Sequence, residues 1–405
     1  MGAPRALAER IADALDPFRR PQFTVGNRVE LLASADRYFP RLHAAIGAAC
    51  HSISLETYIL ADDATGHALV AALRAAARRG VAVRVLVDGF GGGEFARRLA
   101  QEFPAFGAQL LIYRPERWWW PQRRLLRRLH RKIAVVDDRI AFVGGINVDD
   151  SPVRDELNGE AIGPRLDFAV ECEGPVVAGI VFALRRLWWA VAVAHHRAEP
   201  RPRRPTPAAA LPGGVRAALV LRDNLRHRHS IERSYLAALR ASRRQVLVAC
   251  AYFQPGQRFR RALLAAARRG VRITLLLQGR VEYRLQHHAQ RALYGQLLAA
   301  GIEIHEYRRS YLHAKVAVID DDWGTVGSSN IDPLSLLLAR EANVVVRDRA
   351  FCDGLRGAIE TAMREESQPL DAAAFARRSW SARVVDWLAF GVVQAATTLL
   401  ARRNY

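Results

Sequence analysis

Two histidines, each two residues ahead of a lysine, are the part of this sequence best suited to phosphorus chemistry: His130 with Lys132, and His313 with Lys315. An imidazole can attack phosphorus and can also carry protons near neutral pH. Two of them on opposite sides of a phosphodiester can divide those tasks. Lysine ammonium groups stabilise phosphoryl oxygens as negative charge builds on them. Of the 60 Lys and Arg residues only Lys132 and Lys315 are lysine. Arginine stands wherever bulk positive charge is enough, so these two positions call for a compact ammonium. Each motif runs on to an acid, Asp137 or Asp320, and then to Gly144-Gly145-Ile146-Asn147 or Gly327-Ser328-Ser329-Asn330. Asn147, Asn330 and the backbone amides at Gly145 and Ser328 are candidate partners of the phosphoryl oxygens. The ammonium groups supply the charge that magnesium would otherwise bring, so the reading calls for no metal and no cofactor.

The elements that must position these groups are written twice. Ala72-Leu-Arg-Ala-Ala-Ala-Arg-Arg-Gly80 recurs as Ala262-Leu-Leu-Ala-Ala-Ala-Arg-Arg-Gly270, each followed by an apolar strand pattern. The spacing is too long for a solenoid and points to a duplicated domain. The first copy reads as strands at 52–59, 82–88, 109–113, 130–137 and 140–144 with helices at 66–79 and 93–103. Alternating strands and amphipathic helices predict an α/β fold: two tandem domains, each a mostly parallel mixed sheet flanked by helices, with the site at the domain interface. Side chains alternate along a strand. His130 and Lys132 should therefore face one cleft with His313 and Lys315, while Asp137 and Asp320 tie their strands down from behind.

The proline-dense stretch Arg197–Pro207 marks the join. The expected segments are an N-terminal helical segment 1–24, domains 25–197 and 216–368 around a linker 198–215, and a tail 369–405. The tail run Val384–Leu400 is apolar apart from Asp386, Gln394 and two threonines. It suits a membrane-surface helix or a core or oligomer-contact helix. The formal net charge of +20 favours a polyanionic partner, nucleic acid or an anionic membrane. Cys50, Cys172, Cys250 and Cys352 are widely spaced and read as buried thiols of a reducing compartment. The first residues lack a signal-peptide pattern, which places the expected location in the cytoplasm or on its membrane face.

The paired pattern His-x-Lys-x4-Asp-x6-Gly-[Gly/Ser]-x-Asn resembles the signature of the phospholipase D superfamily. Leu55–Ile59, Arg222–Asn224, Ala251–Pro255, Tyr307–Arg309 and Thr325–Ser335 are similar to bacterial cardiolipin synthases, nearest the short form without N-terminal transmembrane helices. The resemblance implies a catalytic set of His130, Lys132, Asp137, His313, Lys315 and Asp320. In it His130 forms a phosphatidyl-histidine, His313 acts as acid and then base, and Lys132, Lys315, Asn147 and Asn330 hold the phosphate. Asp167 and Glu341 match the carboxylates that orient the imidazoles. It further implies transfer between two phosphatidylglycerols to give cardiolipin on the cytoplasmic face of the bacterial inner membrane, with no nucleic-acid partner. Phospholipid hydrolysis to phosphatidic acid, or nuclease action, is the alternative. Trp118, Trp119 and Trp120, followed by Arg123, Arg124, Arg127, Arg128 and Arg131, suit docking to an anionic interface.

Overall fold

The computed structural model describes residues 18, 20–115, 128–149, 159–223, 227–332 and 339–402. The Trp118–Trp120 segment with Arg123 and Arg124 lies outside these residues, as do residues 1–17 and 19 of the expected N-terminal helical segment.

In the first copy the strands are β1 (Thr24–Ala33), β2 (Ser52–Thr57), β3 (Ala82–Asp88), β4 (Gln109–Tyr113), β5 (Arg128–Leu129), β6 (Lys132–Val136), β7 (Ile140–Gly144) and β8 (Phe168–Glu173). Helices α1 (Ala35–Gly47), α2 (Ala64–Arg78), α3 (Gly93–Glu102) and α4 (Val176–Ala194) connect or follow them. The second copy supplies β9 (Val215–Arg222), β10 (Gln245–Cys250), β11 (Arg272–Gln278), β12 (Glu303–Tyr307), β13 (Lys315–Ile319), β14 (Trp323–Gly327), β15 (Ala339–Arg347) and β16 (Ser367–Pro369). Its helices are α5 (Ser230–Ala241), α6 (Gln257–Arg268), α7 (Arg284–Ala299), α8 (Arg349–Glu366), α9 (Ala372–Ala376) and α10 (Trp380–Arg402).

The strands form one continuous sheet. Its order, β12-β11-β10-β13-β14-β15-β9 and then β1-β8-β7-β6-β2-β3-β4, is the same sequence of equivalents read outward from the β9–β1 junction. β1 and β9 pair antiparallel at that centre, which relates the halves by an approximate two-fold rotation. Parallel order is confined to β2-β3-β4, to β10-β11-β12 and to the short β5–β15 contact. The expectation of a mostly parallel sheet is corrected here, since the other neighbours run antiparallel. Parallel neighbours need a crossover helix, whereas β6 and β13 return through tight turns to β7 and β14.

The repeated Ala-Ala-Ala-Arg-Arg-Gly does the same local work in each copy. Gly80 (φ +89°) and Gly270 (φ +84°) follow the ends of α2 and α6 in a left-handed conformation that suits glycine. The preceding Arg79 and Arg269 donate to carbonyls at the ends of α1 and α5. One face of the central sheet is covered by α4 and α8, whose Ile180, Leu184, Leu355 and Ile359 share a single core with strands of both halves. The other face carries a separate core in each half. Strands enclosed on both faces need not alternate in polarity, and β6 (Lys-Ile-Ala-Val-Val) is buried throughout. Helix α4 is long and apolar enough to cross a membrane, yet most of it is buried in this core. Of the cysteines, Cys172, Cys250 and Cys352 are buried; Cys50 is exposed, contrary to expectation, because it lies in the turn before β2.

Candidate active site

Each histidine lies just ahead of its strand and is tied to the opposite half. The His130 backbone N–H donates to the carbonyl of Arg340 (3.0 Å), and the His313 N–H donates to that of Leu166 (2.8 Å). The side chains repeat the exchange. His130 Nδ1 lies 3.1 Å from Glu341, and His313 Nδ1 lies 2.6 Å from Asp167. Both carboxylates therefore orient an imidazole, but each serves the histidine of the other copy. Sequence distance carries no sign of that crossing. Holding Nδ1–H on a carboxylate leaves the Nε2 lone pair as the reactive one.

Lys132 and Lys315 are the first residues of β6 and β13 and are buried. Lys132 Nζ donates to the His130 carbonyl (3.0 Å), and Lys315 Nζ donates to that of His313. Burial, followed by the charge of Lys315, pulls the Lys132 ammonium down to about 7. Lys315 is lowered as well, chiefly by burial. The same desolvation lowers His130 and pushes His313 well below the usual imidazole value; both lysines add repulsion. Asp167 moves the other way, raised by burial to about 6. These mutual effects mean that the paired groups of the two halves share one poorly hydrated electrostatic site, in which two lysine Nζ groups stand beside the two histidine-bound carboxylates. The lysine Nζ groups suit the oxygens of an anion. Asn147 is buried in it, its amide oxygen without a hydrogen-bond partner among the described residues, and Asn330 is buried at the equivalent place.

Four assignments made from the sequence change. Asp137 and Asp320, grouped with the catalytic set, lie at the far ends of β6 and β13, roughly 16 Å along a strand from the lysines. There Asp137 accepts from the backbone N–H groups of Cys50, His51 and Ser52, and Asp320 from those of Arg243, Arg244 and Gln245. They fasten neighbouring strands, as side-chain alternation predicted, in place of the catalytic role that the resemblance implied. The amides of Gly145 and Ser328 do not face a phosphate, because they donate to the carbonyls of Phe168 and Ala342. Their side-chain positions matter instead. A Cβ at Gly145 would lie 2.3 Å from Asp167 Oδ1, and the Ser328 hydroxyl donates to Glu341. Each thus seats the carboxylate that holds the opposite histidine.

Arg131, counted with the membrane-docking flank, is also reassigned. The residue between His130 and Lys132 must point away from the cleft, and it is buried 3.8 Å from Glu56. Burial raises that carboxyl to about 7. Several residues of the site were not anticipated. The Tyr58 ring packs 4.9 Å from the His130 ring and 5.2 Å from Lys132 Nζ. Beside His313, Arg165 bonds Asp149 (2.9 Å) and approaches Glu282 (3.5 Å), which accepts from Tyr252 (2.6 Å). Tyr58 and Tyr252 fall in two of the sequence blocks that carry the family resemblance, the only signal that pointed to them.

A family model described as "Cardiolipin synthase, PLD-like domain" matches residues 42–163 and again 235–362. Cardiolipin synthase B of Escherichia coli (strain K12) is 42% identical over 367 residues, covering 88% of this chain and 85% of that protein. A probable cardiolipin synthase of Bacillus subtilis (strain 168) is 28% identical, covering 87% of this chain and 69% of its own length. Among solved structures, a phosphatidylserine synthase of Haemophilus influenzae superposes with a TM-score of 0.66 at 12% identity, covering 96% of this chain and 98% of its own.

Proposed function

The chain belongs to the cardiolipin synthase, PLD-like domain family, and from that premise we propose that it is a phosphatidyltransferase joining two phosphatidylglycerols into cardiolipin. The observation that carries the reading is the crossed pairing of His130 with Glu341 and His313 with Asp167 beside two buried lysines. His130 Nε2 attacks the phosphorus of the first lipid while the bond from phosphorus to the glycerol oxygen breaks. His313 donates its proton to that oxygen, and free glycerol departs. The anionic diester offsets the two ammonium groups, so His313 can hold a proton once substrate is bound. A terminal hydroxyl of the second phosphatidylglycerol then returns a proton to His313 and attacks the phosphatidyl-histidine, breaking the P–N bond. Lys132, Lys315, Asn147 and Asn330 hold the phosphoryl oxygens through both steps.

Transfer requires the lipid hydroxyl to outcompete water, which a poorly hydrated site opening toward a bilayer favours. Asp149 and Arg165, next to His313, offer hydrogen-bonding groups for the polyol headgroup. The net charge of +20 supports peripheral residence on an anionic membrane, on the cytoplasmic face of the bacterial inner membrane. The test is purified chain with phosphatidylglycerol dispersions and a chelator. Cardiolipin and glycerol are expected in equal amounts, together with lipid trapped on His130 and none trapped on His130→Ala. Phosphatidic acid as the main product, or full turnover by His130→Ala, would overturn the proposal.

A further inference from the structure

The final helix is packed inside out. On α10 the residues turned toward the protein include Asp386 and Thr397, both buried, along with Ala389 and Val393. The Asp386 carboxylate, the helix's only acid, accepts from Arg378 (2.8 Å) and lies 2.8 Å from His288 Nδ1 on α7. The outward face carries Trp380 (78% exposed), Val384, Trp387 (57%), Leu388 (65%) and Val392. Trp380, Val384, Leu388 and Val392 recur every four residues and Trp387 follows Val384 by three, which sets these on one stripe. A surface helix of a globular protein has the reverse polarity, and an apolar stripe this long on a water-exposed face marks an interaction surface.

The occupant follows from charge. Arg377 and Arg383 flank the start of the stripe, and no acid lies on it. A second copy would bring another net charge of +20 against it, whereas an anionic bilayer neutralises the arginines and takes up tryptophan at its interface. The helix cannot span, because its inner side is fixed to α7. A groove between the two helices is lined by Gly295, Gln296, Arg383 and Trp387, while Ala389 and Val393 meet Ala289 further along. The helices are therefore antiparallel, and the later turns of α10 run toward the start of α7. There Tyr283 and Leu285 are also exposed, and Glu282 reaches Arg165 beside His313.

We propose that the outward face of α10 lies in the interface of an anionic bilayer, parallel to its plane, and holds the mouth of the active site against the lipid. The inference rests on the lipid-transfer reading for its purpose but not for its test. Sedimentation of the full chain with phosphatidylglycerol vesicles is compared for wild type, Trp387→Glu/Leu388→Glu, and Val193→Glu, a change at an exposed apolar position on α4. The double variant is expected to bind about tenfold or more weakly, to lose turnover of vesicles, and to keep both its melting temperature and its turnover of monomeric short-chain phosphatidylglycerol. The Val193 variant should behave as wild type. Unchanged vesicle binding by the double variant overturns the proposal. So does a dimer in solution that the double variant dissociates while vesicle binding is kept, which would assign the face to a second copy. Vesicle binding that depends on the face, in a wild type that turns over neither lipid form, would sink the transferase reading and leave the docking surface standing.

Discussion

The two lysines are unlike any other cation in the chain, and their environment explains why arginine does not replace them. Lys132 Nζ is held between the His130 carbonyl and the face of Tyr58 as a compact point charge, whose donor directions a planar guanidinium does not reproduce. Lys132→Arg should lower kcat about 10²–10³-fold, the range seen when one transition-state donor is lost, with an unchanged melting temperature. The pH profile provides a second check. A lysine is charged below its pKa, so with Lys132 drawn down to about 7 the ammonium is lost as pH rises through neutrality. The kcat/KM profile, which reports the free enzyme, should already be falling on its alkaline side by pH 7, because His313, needed as the acid, is lowered by burial and Lys132 is losing its own charge there. On the acid side His130 must be unprotonated to attack, and burial lowers its pKa. The acidic limb should therefore lie below the usual imidazole value.

At the scale of the element, strand ends divide the work. The starts of β6 and β13 present the groups proposed to do the chemistry, and the turns after them hold the sheet. Asp137, at φ +52°, accepts three backbone N–H groups leading into β2. Asp137→Ala should cost about 2 kcal/mol in denaturant unfolding and leave kcat of the folded fraction near wild type. The carboxylates just before β8 and within β15 should behave oppositely. Glu341→Gln is expected to slow formation of the lipid adduct on His130. Asp167→Asn should slow the steps that need His313 as acid and base. Each loss should be about 10–100-fold, the usual effect of removing an orienting partner. Rapid-quench trapping of labelled lipid on the protein separates the two. Equal defects in both half-reactions for both variants would contradict the crossed assignment.

At the scale of the whole molecule, neither half is complete. Residues 25–197 contain His130 without Glu341, and residues 216–368 contain His313 without Asp167. The central strands and the helices α4 and α8 also share one core. Either half expressed alone should therefore be inactive on phosphatidylglycerol and expose apolar surface, detectable by dye binding. Measurable transfer by a single half would refute this.

The duplicated motif, the parity of His and Lys along their strands and the solitary lysines were legible in the sequence, because they depend on local spacing and on what each side chain can do chemically. The five strands and two helices expected between residues 52 and 144 fell within a few residues of their expected positions for the same reason, since burial periodicity is local; β1, α1, β8 and α4 were not anticipated. Three features required the tertiary structure. Antiparallel pairing came to outweigh parallel once β6–β7 and β13–β14 closed as tight turns. The orienting carboxylates changed partners because the approximate two-fold rotation brings β15 beside His130 and the start of β8 beside His313, residues far apart along the chain. The apolar tail acquired a direction only when Asp386 met His288 and Arg378, turning its one acid inward and its tryptophans out. Spacing determines which groups exist and which face they share; long-range pairing determines which of them meet.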